Sequence, residues 1–74
     1  MSEIHPAIAA ILKFFEYEHL PPHLQKVSKP FCELASSMAA SFGGPEMTVG
    51  LRKLLEAKDC MVRAALSSPP PETP

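Results

Sequence analysis

The 74-residue chain carries seven Lys or Arg residues against eight Asp or Glu residues, a formal net charge of -1 at pH 7. Without an excess of positive charge, sequence-independent binding to DNA or RNA is disfavoured, although a few cations that meet at a symmetry axis can still bind a small anion. Because 46% of the residues are hydrophobic and so small a domain has little interior, we expect part of the apolar surface to be buried between subunits of a homo-oligomer.

The start of the chain does not resemble a targeting signal. Met1 to His5 lack a basic start, and no apolar run approaches the roughly 20 residues of a membrane span. We therefore expect a cytoplasmic protein without membrane association. In a reducing cytoplasm Cys32 and Cys60 should remain thiols, and we expect both to be small core residues.

The first predicted helix begins near His5-Pro6, because proline suits the first helical turn. It is expected to end before Pro21-Pro22, since the residue ahead of a proline is pushed out of the helical region. Apolar residues recur within it at helical spacing: Ile8, Ile11, Leu12 and Phe15. The pattern predicts a short helix that packs against its neighbours.

The second predicted helix starts at Pro22 and carries a seam of apolar residues at steps of four, three, four, three, four and four, nearly the spacing of a coiled coil. The seam consists of Leu20, Leu24, Val27, Phe31, Leu34, Met38 and Phe42. Pro30 lies inside this helix, where the lost hydrogen bond and the clash with the preceding turn cost about 3 kcal/mol if unrelieved. We expect a kink near Lys26 to Pro30, or a helix that begins only at Ser28.

Gly43-Gly44-Pro45 predicts a left-handed helix terminator followed by a proline that opens the third helix. Glu46 is expected in the first turn of that helix and Arg63 in its last turn, where each charge complements the helix dipole. Asp59 is spaced to pair with Arg63. A broad apolar face is formed by Met47, Leu51, Leu54, Leu55, Met61, Val62 and Leu66.

These elements predict an all-α fold, in which a short N-terminal helix is followed by an antiparallel helical hairpin that assembles as a homo-oligomer. We expect residues 1–66 to form this single domain. Residues 67–74 are rich in proline and have nothing to bury, so we expect a disordered tail.

Catalytic and metal-binding patterns are weak in this sequence. Gly43-Gly44 lacks the lysine and the serine or threonine of a nucleotide-hydrolysing loop. His19 and His23 are four residues apart, but the two prolines between them should prevent the shared helical face of a zinc pair. No spacing pairs a cysteine with a histidine as nucleophile and base. We therefore predict neither enzymatic activity nor a bound metal or cofactor.

The remaining candidates are binding residues. Tyr17 has a flat face that can stack on a base. Phosphate can be contacted by basic side chains, and Arg63 can do so through a two-pronged hydrogen bond; the other candidates are Lys26, Lys29 and Lys58. In the alternative interpretation Tyr17 only packs at the end of the hairpin and Arg63 only caps a helix.

Taken together, these positions resemble the anti-CBASS cyclic-oligonucleotide sponge family of small phage proteins built on a helical hairpin. The family block opens with Tyr-Arg-x-Leu-Ser, continues through a helix with a Glu-Leu-Gly-like step, and closes with a helix that ends in Arg-Ala. The corresponding segments here are Tyr17-Glu18-His19-Leu20-Pro21, Glu33-Leu34-Ala35 and Val62-Arg63-Ala64. The resemblance spans Tyr17 to Leu66. The chain is also similar to small proteins of actinobacterial tailed phages.

Three positions depart from the family pattern. Glu18 replaces the usual arginine, Cys32 stands where a phosphate-binding lysine is expected, and Val49 stands near a position that often holds tryptophan. The ligand-binding detail is therefore expected to differ even where the fold is shared.

The resemblance implies a compact homohexamer that sequesters cyclic dinucleotides between paired subunits, and in some members cyclic trinucleotides at three-fold sites, without cleaving them. It implies an inhibitor of CBASS-type immunity in the cytoplasm of the infected bacterial cell. Tyr17 would stack on a base and Arg63 would contact phosphate. From charge and position we add Lys26 and Lys29, as substitutes for the lysine that is missing at Cys32.

Two other functions compete with this one. An oligomeric helical adaptor would bind another protein through its apolar surface and would need no small ligand. A DNA-binding hairpin would need a row of basic side chains along one helix. Arg52 and Lys53 are adjacent and point in different directions, while Glu56 and Asp59 interrupt any such row, so the DNA-binding hypothesis ranks last.

Overall fold

A computed structural model describes residues 5–67, and all three elements in that range are α-helices. They are α1 (Pro6–Lys13), α2 (Pro22–Ser41) and α3 (Pro45–Ser67). A proline opens each helix, where its fixed φ suits the helix and its missing N–H leaves no hydrogen bond unmade. The all-α class and the three helices are thus confirmed. The antiparallel hairpin and the homo-oligomer stay predictions, and the predicted tail lies outside the described residues except for Ser67, which belongs to α3.

Helix α1 is shorter than predicted, because it ends at Lys13, eight residues ahead of Pro21. The chain turns there, as the Phe14 and Phe15 N–H groups bond carbonyls only three residues back, each at 3.0 Å. After this turn Phe15 is completely buried. Burial of a whole aromatic side chain gives the turn its stability.

Helix α2 continues through Pro30 from Pro22, so the alternative start at Ser28 is wrong. Pro30 has no N–H to donate to the carbonyl of Lys26, four residues earlier. Both residues are exposed, so water can satisfy that carbonyl. The kink stays a prediction.

The predicted seam of α2 faces the interior only in its first half, where Leu24 is buried and Phe31 packs against the core. Leu34, Met38 and Phe42 are 45%, 38% and 63% exposed, whereas Ala35 and Ala39 are buried. One residue corresponds to a rotation of about 100° around a helix axis, so from Leu34 onward the core lies to one side of the seam. The buried residues of α2 are Leu24, Ser28, Ala35 and Ala39.

The turn between α2 and α3 is confirmed as predicted. Gly44 has a φ of +93°, a left-handed conformation in which a side chain would be strained. The Phe42 N–H closes α2 on the Met38 carbonyl at 2.9 Å, and the Thr48 N–H bonds the Gly44 carbonyl at 3.3 Å. Pro45 then opens α3, with Glu46 in its first turn.

Two predictions about the end of α3 are wrong. The helix runs to Ser67 and has no basic residue in its last turn, so Arg63 lies just before that turn. Asp59 pairs with Lys58, its neighbour, at 3.1 Å. Arg63 instead donates from Nη2 to Cys60 Sγ at 3.4 Å.

All three helices and the turn after α1 contribute to the core. Its buried members are Ile8, Ile11, Phe15, Ala35, Ala39 and Leu51. Cys32 packs against this cluster, but Cys60 is exposed, and both are free thiols. The expectation that both cysteines are core residues is therefore wrong for Cys60. Nothing in residues 5–67 forms a helix that is both long enough and apolar enough to cross a membrane.

Candidate functional site

Tyr17 lies in the connection between α1 and α2, which we call the Tyr17 segment (residues 14–21). Lys58 of α3 holds its first residue, donating from Nζ to the Phe14 carbonyl at 2.8 Å. Gln25 of α2 holds its second half, donating from Nε2 to the Leu20 carbonyl at 2.8 Å. The segment is therefore attached by side chains to both long helices.

The same segment is also closed on itself. The Leu20 N–H donates to the Tyr17 carbonyl at 3.0 Å, and Gln25 Nε2 lies 3.4 Å from the Glu18 carbonyl. Tyr17 is half-buried. A ring that is partly packed and carried by an anchored backbone loses little conformational freedom when a ligand stacks on it.

Lys58 does not behave as the phosphate contact suggested by its charge. Its side chain is only 12% exposed, and its ammonium group pairs with Asp59 Oδ1 at 3.1 Å while it donates to Phe14. Its charge is already compensated. Lys58 is therefore a support for the Tyr17 segment.

The other three predicted cations are exposed: Lys26, Lys29 and Arg63. The Lys58–Asp59 contact is the one ion pair within residues 5–67, so none of the three has a carboxylate partner in that range. Lys26 directly follows Gln25, and Arg63 lies five residues beyond Lys58, roughly 7.5 Å along the helix axis. Lys26 and Lys29 thus belong to α2 and Arg63 to α3, the two helices to which the Tyr17 segment is attached, but Arg63 is rotated by roughly 140° around the axis from Lys58.

Three concavities among the described residues lie elsewhere. One adjoins the turn between α2 and α3 and the start of α1, and includes His5, Ala39, Phe42, Gly44 and Thr48. A second lies on α1, and a third is an apolar groove between α2 and α3. None of these three is lined by Tyr17, Lys26, Lys29 or Arg63. The four predicted site residues therefore lie outside these three concavities.

His19 and His23, weighed as a metal pair from their spacing, are both exposed. Within the part of the chain that the structure describes, no three His, Cys, Asp or Glu side chains are grouped so that they could hold a metal ion.

Sequence reasoning did not identify Gln25 as a support for the Tyr17 segment. Its role depends on the path of the backbone after α1, and a glutamine just inside a helix has no distinctive spacing. The charge of Lys58 is visible in the sequence, but its partners are not, because one of them is 44 residues away.

No family model, curated protein or solved structure matches this chain. The function must therefore be argued from its own residues.

Proposed function

We propose that the protein is a phage anti-defence sponge, which binds cyclic dinucleotides, and cyclic trinucleotides as a further class, without cleaving them. In the cytoplasm of an infected bacterium it would thereby inhibit CBASS-type immunity. One observation carries the proposal: three exposed cations without carboxylate partners, Lys26, Lys29 and Arg63, lie on the two helices to which the Tyr17 segment is hydrogen-bonded. The resemblance of these positions to the sponge family supports the same conclusion.

The ligand chemistry fits these groups. A cyclic dinucleotide carries two phosphates and two bases related by an approximate two-fold axis. Two copies of the chain related by a two-fold axis would supply two tyrosines for the bases and paired cations for the phosphates. Three copies would present the same groups to a cyclic trinucleotide. No membrane and no nucleic acid polymer is needed as a partner.

Arg63 can exchange its present contact for a phosphate. Its guanidinium donates to the Cys60 sulfur at 3.4 Å, and sulfur is a weak acceptor. A phosphate oxygen is a far stronger acceptor for an arginine, because both partners are charged and the contact can be bidentate. The contact with Cys60 is therefore weak enough for a phosphate to replace it.

A site shared between subunits also explains why the predicted site residues line none of the three concavities of the single chain. The predicted site residues lie outside the three concavities described above, yet tight binding of a small ligand normally requires that most of its surface be enclosed. Assembly would enclose it by bringing a second chain over Tyr17. The proposal therefore includes a homo-oligomer, and the family resemblance favours a hexamer.

The direct test is isothermal titration of the full chain with a panel of cyclic di- and trinucleotides, followed by chromatography of the recovered ligand. We expect submicromolar binding, a stoichiometry below one ligand per chain, and intact ligand. The absence of heat across the whole panel would overturn the proposal, and so would recovery of cleaved ligand.

Variants assign the roles of the residues. Tyr17→Ala should lose the stacking contact, worth about 1–3 kcal/mol per base, and Arg63→Gln should lose a charged phosphate contact. Arg52→Gln is the matched control, because Arg52 is also an exposed arginine of α3 but lies 11 positions earlier. If Tyr17→Ala bound as tightly as the parent chain, its stacking role would be wrong.

The second candidate is an oligomeric helical adaptor without a small ligand. It is favoured by the exposed apolar side chains of Leu34, Met38 and Met61, because such surface is typical of protein contacts. If the isothermal titration shows no heat of binding for any cyclic nucleotide of the panel, the adaptor becomes the favoured function.

A further inference from the structure

One hydrogen bond joins distant parts of the described chain. It runs from Lys58 Nζ to the Phe14 carbonyl at 2.8 Å, between residues 44 positions apart. Every other hydrogen bond within residues 5–67 connects residues at most seven positions apart. The one long-range hydrogen bond of the described residues therefore lies at the Tyr17 segment.

The side-chain contacts of this segment are spaced evenly around Tyr17. Lys58 holds the carbonyl of Phe14, three positions before Tyr17. Gln25 holds the carbonyl of Leu20, three positions after it. Among the described residues, Lys58 makes the one side-chain hydrogen bond to the first half of the segment. Its loss would leave that half without a hydrogen bond to α3.

Packing alone does not explain a lysine at position 58. Its side chain is 12% exposed, and its ammonium group pairs with Asp59 Oδ1 at 3.1 Å. Burial of an ammonium group is costly, and apolar side chains of similar volume can often replace a buried ion pair without loss of stability. An apolar residue could therefore pack at this position. Only a hydrogen-bond donor can fix the Phe14 carbonyl.

We propose that Lys58 is a positioning residue of the candidate site, which together with Gln25 holds Tyr17 in the orientation that receives a base. The physical reason is conformational entropy. Residues 14–21 belong to no helix, and a free backbone loses entropy when it is ordered. Because the two contacts order the segment before a ligand arrives, binding does not have to supply that free energy. The inference rests on the proposed function where it concerns affinity for a nucleotide.

The first measurement uses the free protein. The chain has one tyrosine and no tryptophan, so intrinsic fluorescence anisotropy and acrylamide quenching report on Tyr17. Lys58→Met removes the donor and keeps a side chain of similar length, whereas Lys58→Arg keeps a cationic donor. Lys53→Met is the matched control, since Lys53 is an exposed lysine of the same helix. We expect lower anisotropy and stronger quenching for Lys58→Met, recovery in Lys58→Arg, and parental values for Lys53→Met.

The second measurement is isothermal titration of the same variants with cyclic di-AMP, cyclic di-GMP and cyclic GMP-AMP. Lys58→Met should raise the dissociation constant by roughly tenfold, because the ligand must then order the segment itself. Lys53→Met should leave the constant unchanged. Circular dichroism should show the parental helix signal for each variant. If Lys58→Met does not fold, Gln25→Leu replaces it with the same expected effects, since Gln25 holds the other half of the segment.

The outcomes separate this inference from the proposed function. Parental anisotropy and quenching in Lys58→Met and Gln25→Leu would overturn the inference, and so would a more mobile Tyr17 with unchanged nucleotide affinity. A parent chain that gives no heat with any of the nucleotides would overturn the proposed function. The fluorescence of the free chain would then still decide whether Lys58 holds Tyr17.

Discussion

The two sides of α2 differ in the size of the side chains that they carry. From Ser28 onward, the inward side buries Ser28, Ala35 and Ala39, whereas the neighbouring outward side exposes Leu34 and Met38. Small residues let a neighbouring helix approach closely, because packing distance depends on the side chains at the contact. The large residues remain available for contacts outside the chain. The most hydrophobic stripe of a helix in a small protein is thus not necessarily the stripe that faces its own core.

Helix α3 has the same division into a buried and an exposed side, and truncation of its buried leucine is expected to have the largest effect. Leu51 is 2% exposed, and Met61 of the same helix is 52% exposed. We expect Leu51→Ala to lower the free energy of unfolding by about 2–5 kcal/mol, through lost burial and a residual cavity. Met61→Ala is the control and should cost no more than about 0.5 kcal/mol in the single chain.

Urea denaturation at one fixed, low protein concentration measures both values, because oligomer stability depends on concentration. Equal losses for Leu51→Ala and Met61→Ala would show that the two side chains are buried alike.

The next test enlarges a small inward residue. Ala35 is completely buried against the core, so Ala35→Leu must displace its neighbours. We expect a loss of about 1–3 kcal/mol from overpacking. Ala40→Leu is the control, since Ala40 is an exposed residue of the same helix, and thermal unfolding followed by circular dichroism compares them. A stabilised Ala35→Leu variant would mean that the helices have room to separate.

The smallest expected effect has the opposite sign. The hydroxyl of Ser28 is buried and has no hydrogen-bond partner among residues 5–67. Removing a buried polar atom that lacks a partner removes its desolvation cost, so Ser28→Ala should raise the free energy of unfolding by about 1 kcal/mol. Ser36→Ala, at an exposed position of α2, is the control. A destabilised Ser28→Ala chain would indicate that the hydroxyl has a partner in solution.

Much of the fold could be predicted from local signals. Pro6, Pro22 and Pro45 mark the helix starts, and Gly44 marks the turn. The end of α1 could not be predicted in this way, because no residue from Phe14 to Leu20 is a strong helix breaker. It depends on the burial of Phe15 and on the contact between Lys58 and the Phe14 carbonyl.

The candidate site was predictable as a set of residue types but not as an arrangement. Tyr17 and Arg63 were selected from the pattern of the chain, and exposure leaves Arg63, Lys26 and Lys29 available. Charge alone cannot distinguish these cations from Lys58, which is held by Asp59 and by the Phe14 carbonyl. The difference lies in the hydrogen-bond and ion-pair partners of each charged group.

Local sequence specifies the helical class, the three helix starts and the turn, because those depend on interactions within about four residues. Only the tertiary structure decided which side of α2 is buried, where α1 ends, and which lysine supports the Tyr17 segment. Those choices depend on contacts between distant positions, such as Lys58 and Phe14, 44 residues apart. A wide apolar arc on one helix is compatible with several rotations of that helix, and the neighbouring helices select one of them.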